Sequence, residues 1–229
     1  MEIIADEIEF LATLVPLEGS RVVDLGCGNG EFARKLLSRG RAASVDAFEV
    51  DEIQHAKNLR APSVKGLHFR LGGAERIALD NASCDLVVMM KSLHHVPGNL
   101  MDEAFAEIGR VLAPGGYLYV SEPVYDGPFN EIVRLFHDEG AVRAAAYAAL
   151  KRADSSKVLG LVAEREFMAP LFFRDFADFE HRIIHATHSS HVLTDALKQE
   201  VRTRLDAHMT PEGVRFVRPM RIDLMRKAA

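Results

Sequence analysis

Ile3, Ile4, Ile8, Leu11, Leu14 and Val15 recur at spacings of three and four, and Pro16 with Gly19 ends the run, which predicts an amphipathic helix over residues 2–15. Arg21-Val-Val-Asp-Leu is a short β-branched run closed by glycines, and Phe32, Leu36 and Leu37 then follow at helical spacing up to Gly40. The same strand-then-helix grammar returns: 42–48 as a strand, 52–59 as a helix closed by Pro62, and 66–71 as a third strand. Asp85-Leu-Val-Val-Met-Met is nearly all apolar, as a strand buried on both faces must be. Residues 100–112 have helical periodicity, Pro114-Gly-Gly reads as a turn, and 117–121 as a fifth strand. Strands alternating with helices imply an α/β fold whose parallel sheet carries helices on both faces.

Past Glu122 the texture changes. Residues 129–152 are Ala-rich and helical, 165–173 look extended, and 175–208 fit one or two further helices. Residues 214–226 fit a last strand, in which Pro219 suggests a bend or an edge position. No linker, repeat or low-complexity tract divides the 229 residues, so one domain is expected, with residues 1–18 and 126–210 as a helical cover and extra lid on the core.

Composition narrows the partners. Twenty-eight basic against 33 acidic residues give a net charge of -5, the wrong sign for a protein that grips nucleic acid through phosphates. Two cysteines, Cys27 and Cys84, make no disulfide framework and suit a reducing, cytoplasmic setting. The start, Met1-Glu-Ile-Ile-Ala-Asp-Glu, is acidic where a secretory signal is basic, and the longest strongly apolar run, 86–90, is too short to span a bilayer.

The chemistry concentrates in Asp24-Leu-Gly26-Cys27-Gly28-Asn-Gly30, set between a strand and a helix, where glycines let backbone approach a nucleotide-like ligand. A dinucleotide fingerprint needs Gly-x-Gly-x-x-Gly/Ala, but Glu31 occupies the third small position, which disfavours NAD. Asp24 would repel a pyrophosphate and attract a cationic group. Glu49 ends the second strand, where a carboxylate can accept from both ribose hydroxyls. Asp46 and Asp51 compete for that role, but Asp46 falls within or before the strand and Asp51 resembles a helix cap.

Together with Phe48-Glu-Val-Asp, Leu93-His-His-Val and Arg110-Val-Leu-Ala-Pro-Gly-Gly, these motifs resemble class I S-adenosylmethionine-dependent methyltransferases, particularly the small-molecule type of quinone biosynthesis. The resemblance covers roughly residues 20–122. It implies a Rossmann-like, mostly parallel seven-stranded sheet whose last strand is antiparallel, with S-adenosylmethionine across the strand ends. Carried over, it puts Asp24, Gly26, Cys27, Gly28 and Gly30 in the cofactor turn and Glu49 with Val50 on the ribose and adenine face. Ala74 and Glu75 lie in the adenine segment, although the family often has Gly-Asp-Ala where this chain reads Gly72-Gly73-Ala74-Glu75. Lys91 matches a position whose carbonyl touches the methionine amino group.

Methyl transfer from a sulfonium is an in-line displacement, so the protein mainly aligns a nucleophile, and a base helps where the acceptor must lose a proton. His94 and His95, after the fourth strand, are the first candidates, with Glu122 and Tyr125 after the fifth strand next. The pair also fits ordinary loop residues, one packed and one solvated. An Asn-Pro-Pro-Tyr motif is missing, which argues against adenine or glutamine nitrogen as acceptor. A small organic molecule is the expected acceptor, with a homodimer left open. Two rivals remain: an enzyme that uses S-adenosylmethionine for another transfer, and a catalytically silent cofactor-binding regulator or subunit.

His181, His185, His188 and His191 would share one helical face, which could suit a metal or an acceptor, but no Cys, Asp or Glu is interleaved and no metal site is assigned. Phe129, Phe136, Phe167, Phe172, Phe173, Phe176 and Phe179 read mostly as core. Arg215, Arg218 and Arg221 read as the solvated side of an edge strand.

Overall fold

Asp51 shows how local chemistry sets the element boundaries. Its carboxylate accepts from the N–H groups of Ile53 and Gln54 at 2.9 and 3.2 Å and so starts a helix two residues after a strand ends. The computed structural model describes residues 1–155, 159–185 and 192–228. Their elements are α1 (Glu7–Leu14), β1 (Arg21–Leu25), α2 (Glu31–Ser38), β2 (Ser44–Glu49), α3 (Glu52–Arg60), β3 (Leu67–Leu71), β4 (Cys84–Met90), α4 (Met101–Val111), β5 (Leu112–Pro123), α5 (Pro128–Val133), α6 (Gly140–Ser155), β6 (Leu159–Phe173), α7 (Phe176–Phe179), α8 (Asp195–Asp206) and β7 (Val214–Lys227). Short 3-10 turns cover Leu93–His95 and Gly98–Leu100, and a π-helical turn covers Glu180–Ile184.

The seven strands form one Rossmann-like sheet in the order β3-β2-β1-β4-β5-β7-β6. β3, β2, β1, β4 and β5 are parallel. β7 runs against β5: the Gly115 N–H donates to the Ala228 carbonyl and, just past the end of β5, the Val124 N–H donates to that of Pro219. The sequence spans two compact units. One holds residues 6–122, 142–165 and 221–229, and with it the whole 20–122 core; the other holds residues 1–5, 123–141 and 166–220.

In the first unit β1 is buried at every position after Arg21, and β4 at all but two, as strands covered on both faces are. Val23, Leu25, Val87, Met89, Leu118 and Val120 join Ala104, Phe105 and Ile108 of α4 and Ala146, Ala149 and Leu150 of α6 in one core. Each of the larger side chains among them contributes roughly 1.5–3 kcal/mol on burial. Tyr119 is fully buried and donates its hydroxyl to Glu7 of α1 at 2.9 Å. The second unit packs Phe129, Phe173, Phe176, Phe179 and Phe216 with Ile132, Val201, Leu205 and Val214, so most of the aromatic set is core as expected.

Several expectations need correction. The first helix starts at Glu7 rather than residue 2, because Asp6 caps it by accepting from the Ile8 N–H; Ile3 instead forms a parallel bridge with Met168. Pro114-Gly-Gly lies inside a continuous β5, where the pairing jumps from Cys84↔Leu112 to Leu86↔Tyr117 and loops the extra residues out. The Ala-rich stretch is two helices, α5 and α6, and the extended segment begins at Leu159 rather than 165.

β7 is an interior strand and β6 takes the edge. Pro219 is tolerated there because the acceptor it would otherwise donate to, the Val124 carbonyl, already takes the Asp126 N–H at 2.9 Å. The three arginines are therefore not a solvated edge. Arg215 lies over Phe172, Arg218 over Phe129, and Arg221 over Tyr147 at 3.7 Å while bonding Asp223 at 2.8 Å. Of the histidine stripe, His181 and His185 are exposed, and the His185 ring lies 3.4 Å from Glu180. His188 and His191 fall outside the described residues.

Candidate active site

β1 delivers Asp24 and Leu25 to a five-residue turn, Gly26 to Gly30, that opens α2. Gly26 has φ +75°, and a Cβ there would stand 2.5 Å from Cβ of Ser92, so conformation and space both demand glycine. Gly28 has φ +53° but open space where a Cβ would go. Gly30, also left-handed, caps α2 and accepts from the Arg34 N–H at 3.0 Å.

The turn is tied to the β2–α3 element. The N–H groups of Gly26 and Cys27 donate to the Phe48 carbonyl at 3.0 and 2.9 Å, and the Gly28 N–H donates to Oε2 of Glu49 at 2.8 Å. Glu49 also accepts through Oε1 from Val50 and Asp51 at 2.8 and 2.9 Å, so three backbone donors fix its carboxylate while Oε2 keeps capacity for a further donor. Asp46 is taken by Arg70 at 2.6 Å and Asp51 by its capping role, as the sequence suggested.

Asp24 is fully buried, and neither carboxylate oxygen has a hydrogen-bond partner among the described residues. Burial pushes its carboxyl up to about 7; Glu49 adds to the rise and Lys91 opposes it. A buried acid with two open acceptors is stabilised by a ligand bearing a cation or N–H donors. Cys27 is buried and its thiol is pushed far up by burial, then by Asp24 and Glu49, which makes it inert as a nucleophile.

Val50 is 65% exposed at the end of β2, and Leu71, the register partner of Glu49 at the end of β3, is 51% exposed. Ala74 is buried in the core and Glu75 is half-buried. Lys91 has an exposed side chain and φ +59°, unusual for a residue with a Cβ, and its N–H donates to the Ser121 carbonyl at 2.7 Å. Next to it Ser92 donates to the Leu25 carbonyl at 2.6 Å, locking the β4 loop onto β1.

His94 and Glu122 form a buried pair. One Glu122 oxygen accepts from the Leu93 N–H at 2.9 Å and the other meets Nδ1 of His94. The adjoining His95 is exposed, its ring centroid 4.1 Å from that of His94. Tyr125 belongs to the other unit, where its hydroxyl donates to Asp138 at 2.7 Å and this bond raises its pKa.

Asn58 was missed. It is 4% exposed on α3, donates to the Gly28 carbonyl at 2.7 Å and accepts from Gln54 at 2.8 Å. The available signal was an asparagine inside a helix, where it is intrinsically unfavourable.

A family described as "Methyltransferase domain" matches residues 23–120. Phthiotriol/phenolphthiotriol dimycocerosates methyltransferase 1 of Mycobacterium ulcerans is 33% identical over 121 residues, 53% of this chain and 43% of that protein. The fatty-acid O-methyltransferase of Mycolicibacterium smegmatis is 32% identical over 121 residues, 51% of this chain and 43% of that one. The match thus spans less than half the length of these relatives. The solved S-adenosylmethionine-dependent methyltransferase of Mesorhizobium loti shares the fold at a TM-score of 0.57 and 17% identity, over 98% of each chain. The glycine turn, the strand-end carboxylates and the sheet order agree with the match of residues 23–120 to the methyltransferase-domain family.

Proposed function

We propose that the chain transfers a methyl group from S-adenosylmethionine to a small organic acceptor. The observation that carries the reading is Asp24, an acid buried at a glycine turn with both oxygens open to a cationic donor group. Asp24 would meet the ammonium of the methionine part, aided by the Lys91 carbonyl, while Gly26, Cys27, Gly28 and Gly30 shape the turn around it. Glu49 would accept from ribose, and Val50, Ala74 and Glu75 would flank adenine. Bound S-adenosylmethionine supplies an electrophilic methyl on a sulfonium, which needs no covalent catalyst.

The chain's own work is then orientation and one proton. The Glu122 carboxylate against Nδ1 of His94 would stabilise an imidazolium, which makes His94 the residue to take a proton from an acceptor hydroxyl or carboxyl as the methyl arrives. His95 and Tyr125 remain candidates for lining or orienting the acceptor. The names of the two curated relatives, and the likeness to quinone-biosynthesis enzymes, support an apolar acceptor with an ionisable oxygen. The family match ends at residue 120, which supports acceptor choice by residues of the 1–18 and 126–210 segments. The free, buried thiols of Cys27 and Cys84 suit a cytoplasmic setting. Among the described residues no helix is long and apolar enough to cross a membrane.

Incubation with methyl-labelled S-adenosylmethionine and a fractionated metabolite and lipid extract tests this. A labelled small molecule that depends on Asp24 is expected. Tight donor binding with no labelled product in any fraction would favour the silent module instead.

A further inference from the structure

The two peptide groups that meet at the Gly28 Cα are held by one element. The Gly28 N–H goes to Glu49, the last residue of β2, and its carbonyl to Asn58, two turns into α3. Asp51 joins that strand to that helix by a side-chain cap, so Glu49 and Asn58 move as a single body. Asn58 is itself oriented: Gln54, one turn earlier, donates to its oxygen, which turns the amide nitrogen toward Gly28. The Cys27 sulfur lies 3.9 Å from the same nitrogen. A buried amide is retained only where its bonds are made, and here the oxygen is satisfied within the helix while the nitrogen is spent on the turn.

We infer that Asn58 is a positioning residue for the donor: by fixing the Gly28 carbonyl while Glu49 takes the Gly28 N–H, it holds the two Gly28 torsions that lie between these bonds, and with them the N–H that orders the oxygen Glu49 presents to ribose. This rests on the reading of residues 26–30 as the donor turn. Without Asn58 the Gly28 carbonyl loses this partner, its peptide can turn about the Gly28 torsions, and the N–H that orders Oε2 of Glu49 is held less firmly. Asn58 then acts through Glu49, and the two substitutions do not have independent effects.

Calorimetric titration with S-adenosylhomocysteine tests this on the whole chain, in a cycle of Asn58→Ala, Glu49→Gln and the double variant, with thermal melting alongside. N58A is expected to weaken binding about tenfold, the cost of one buried hydrogen bond, and to add twofold or less on top of E49Q. Gln54→Leu, which leaves the core untouched, is expected to weaken binding about threefold and serves if N58A does not fold. A purely structural role would lower the melting temperature and leave the affinity of the folded fraction unchanged, or give effects that multiply; either result overturns the inference, as does Q54L binding like the unsubstituted chain. If the unsubstituted chain binds neither S-adenosylhomocysteine nor S-adenosylmethionine, the donor reading falls and takes this inference with it. That pattern is distinct from strong binding by all variants.

Discussion

Glu122 grips His94 at Nδ1 while its other oxygen takes the Leu93 N–H, so one buried carboxylate fixes both the ring and the backbone that carries it. A carboxylate at Nδ1 favours a proton on that nitrogen. Glu122→Gln removes the charge that stabilises a protonated imidazole and is expected to lower kcat roughly 100-fold with little change in donor affinity. His94→Ala should fall to the same level, and the double variant no lower. Steady-state kinetics on the identified acceptor check this; H94A at full rate would remove the base. His95→Ala and Tyr125→Phe in the same series assign those side chains.

Asp24 makes donor binding pH-dependent. Its carboxyl, pushed up to about 7 by burial, must be ionised to attract a cationic group, so donor affinity should fall about tenfold per pH unit below that value. Asp24→Asn should bind weakly and flatten the profile, as followed by calorimetry between pH 5.5 and 8.

Stability of the ligand-free chain follows the opposite course. The ordinary carboxyl value is 3.8 and the folded value about 7, so the stabilising protonated form is fully present below the first and lost as pH rises through the second. At pH 8 the ligand-free D24N variant should be the more stable by roughly 2–4 kcal/mol, and the gain should vanish near pH 4. Denaturant melts at the two pH values measure it.

The turn glycines separate folding from binding. Gly26→Ala combines a left-handed backbone with a collision against Ser92 and should cost roughly 2–4 kcal/mol or abolish folding. Gly28→Ala meets only the backbone penalty, about 1 kcal/mol, yet places a methyl in the open space of the turn, so its main effect should be on donor affinity. Paired melting and titration of the two variants check the contrast.

Pro219 gives a counterpart in the sheet. The acceptor it cannot serve is already occupied by Asp126, so Pro219→Ala should change stability by less than about 1 kcal/mol, despite its place in an interior strand. A larger loss in denaturant unfolding would mean that the proline itself shapes β7.

These cases show what could be read from the sequence and why. β1 was legible residue by residue, and α3 to within one residue of its end, because β-branched runs, glycines and the Asp51 cap are local signals. The glycine spacing, with Asp24 and Glu49 at adjacent strand ends, was legible because it is a pattern of residue types. The place of β7 was not, since a proline argues for an edge unless a distant N–H has taken its acceptor. Nor was the loop inside β5, because Pro-Gly-Gly looks the same within a strand as between two. Asn58 and the His94–Glu122 pair depend on contacts across 30 and 28 residues, which no local periodicity reports.

Titration of the purified chain with S-adenosylmethionine and, separately, with NAD at pH 8 tests the central claim most directly. S-adenosylmethionine should bind at one site per chain, NAD should not, and Asp24→Asn should weaken S-adenosylmethionine binding at least tenfold. Binding of NAD alone, or S-adenosylmethionine binding that ignores the loss of Asp24, would contradict it.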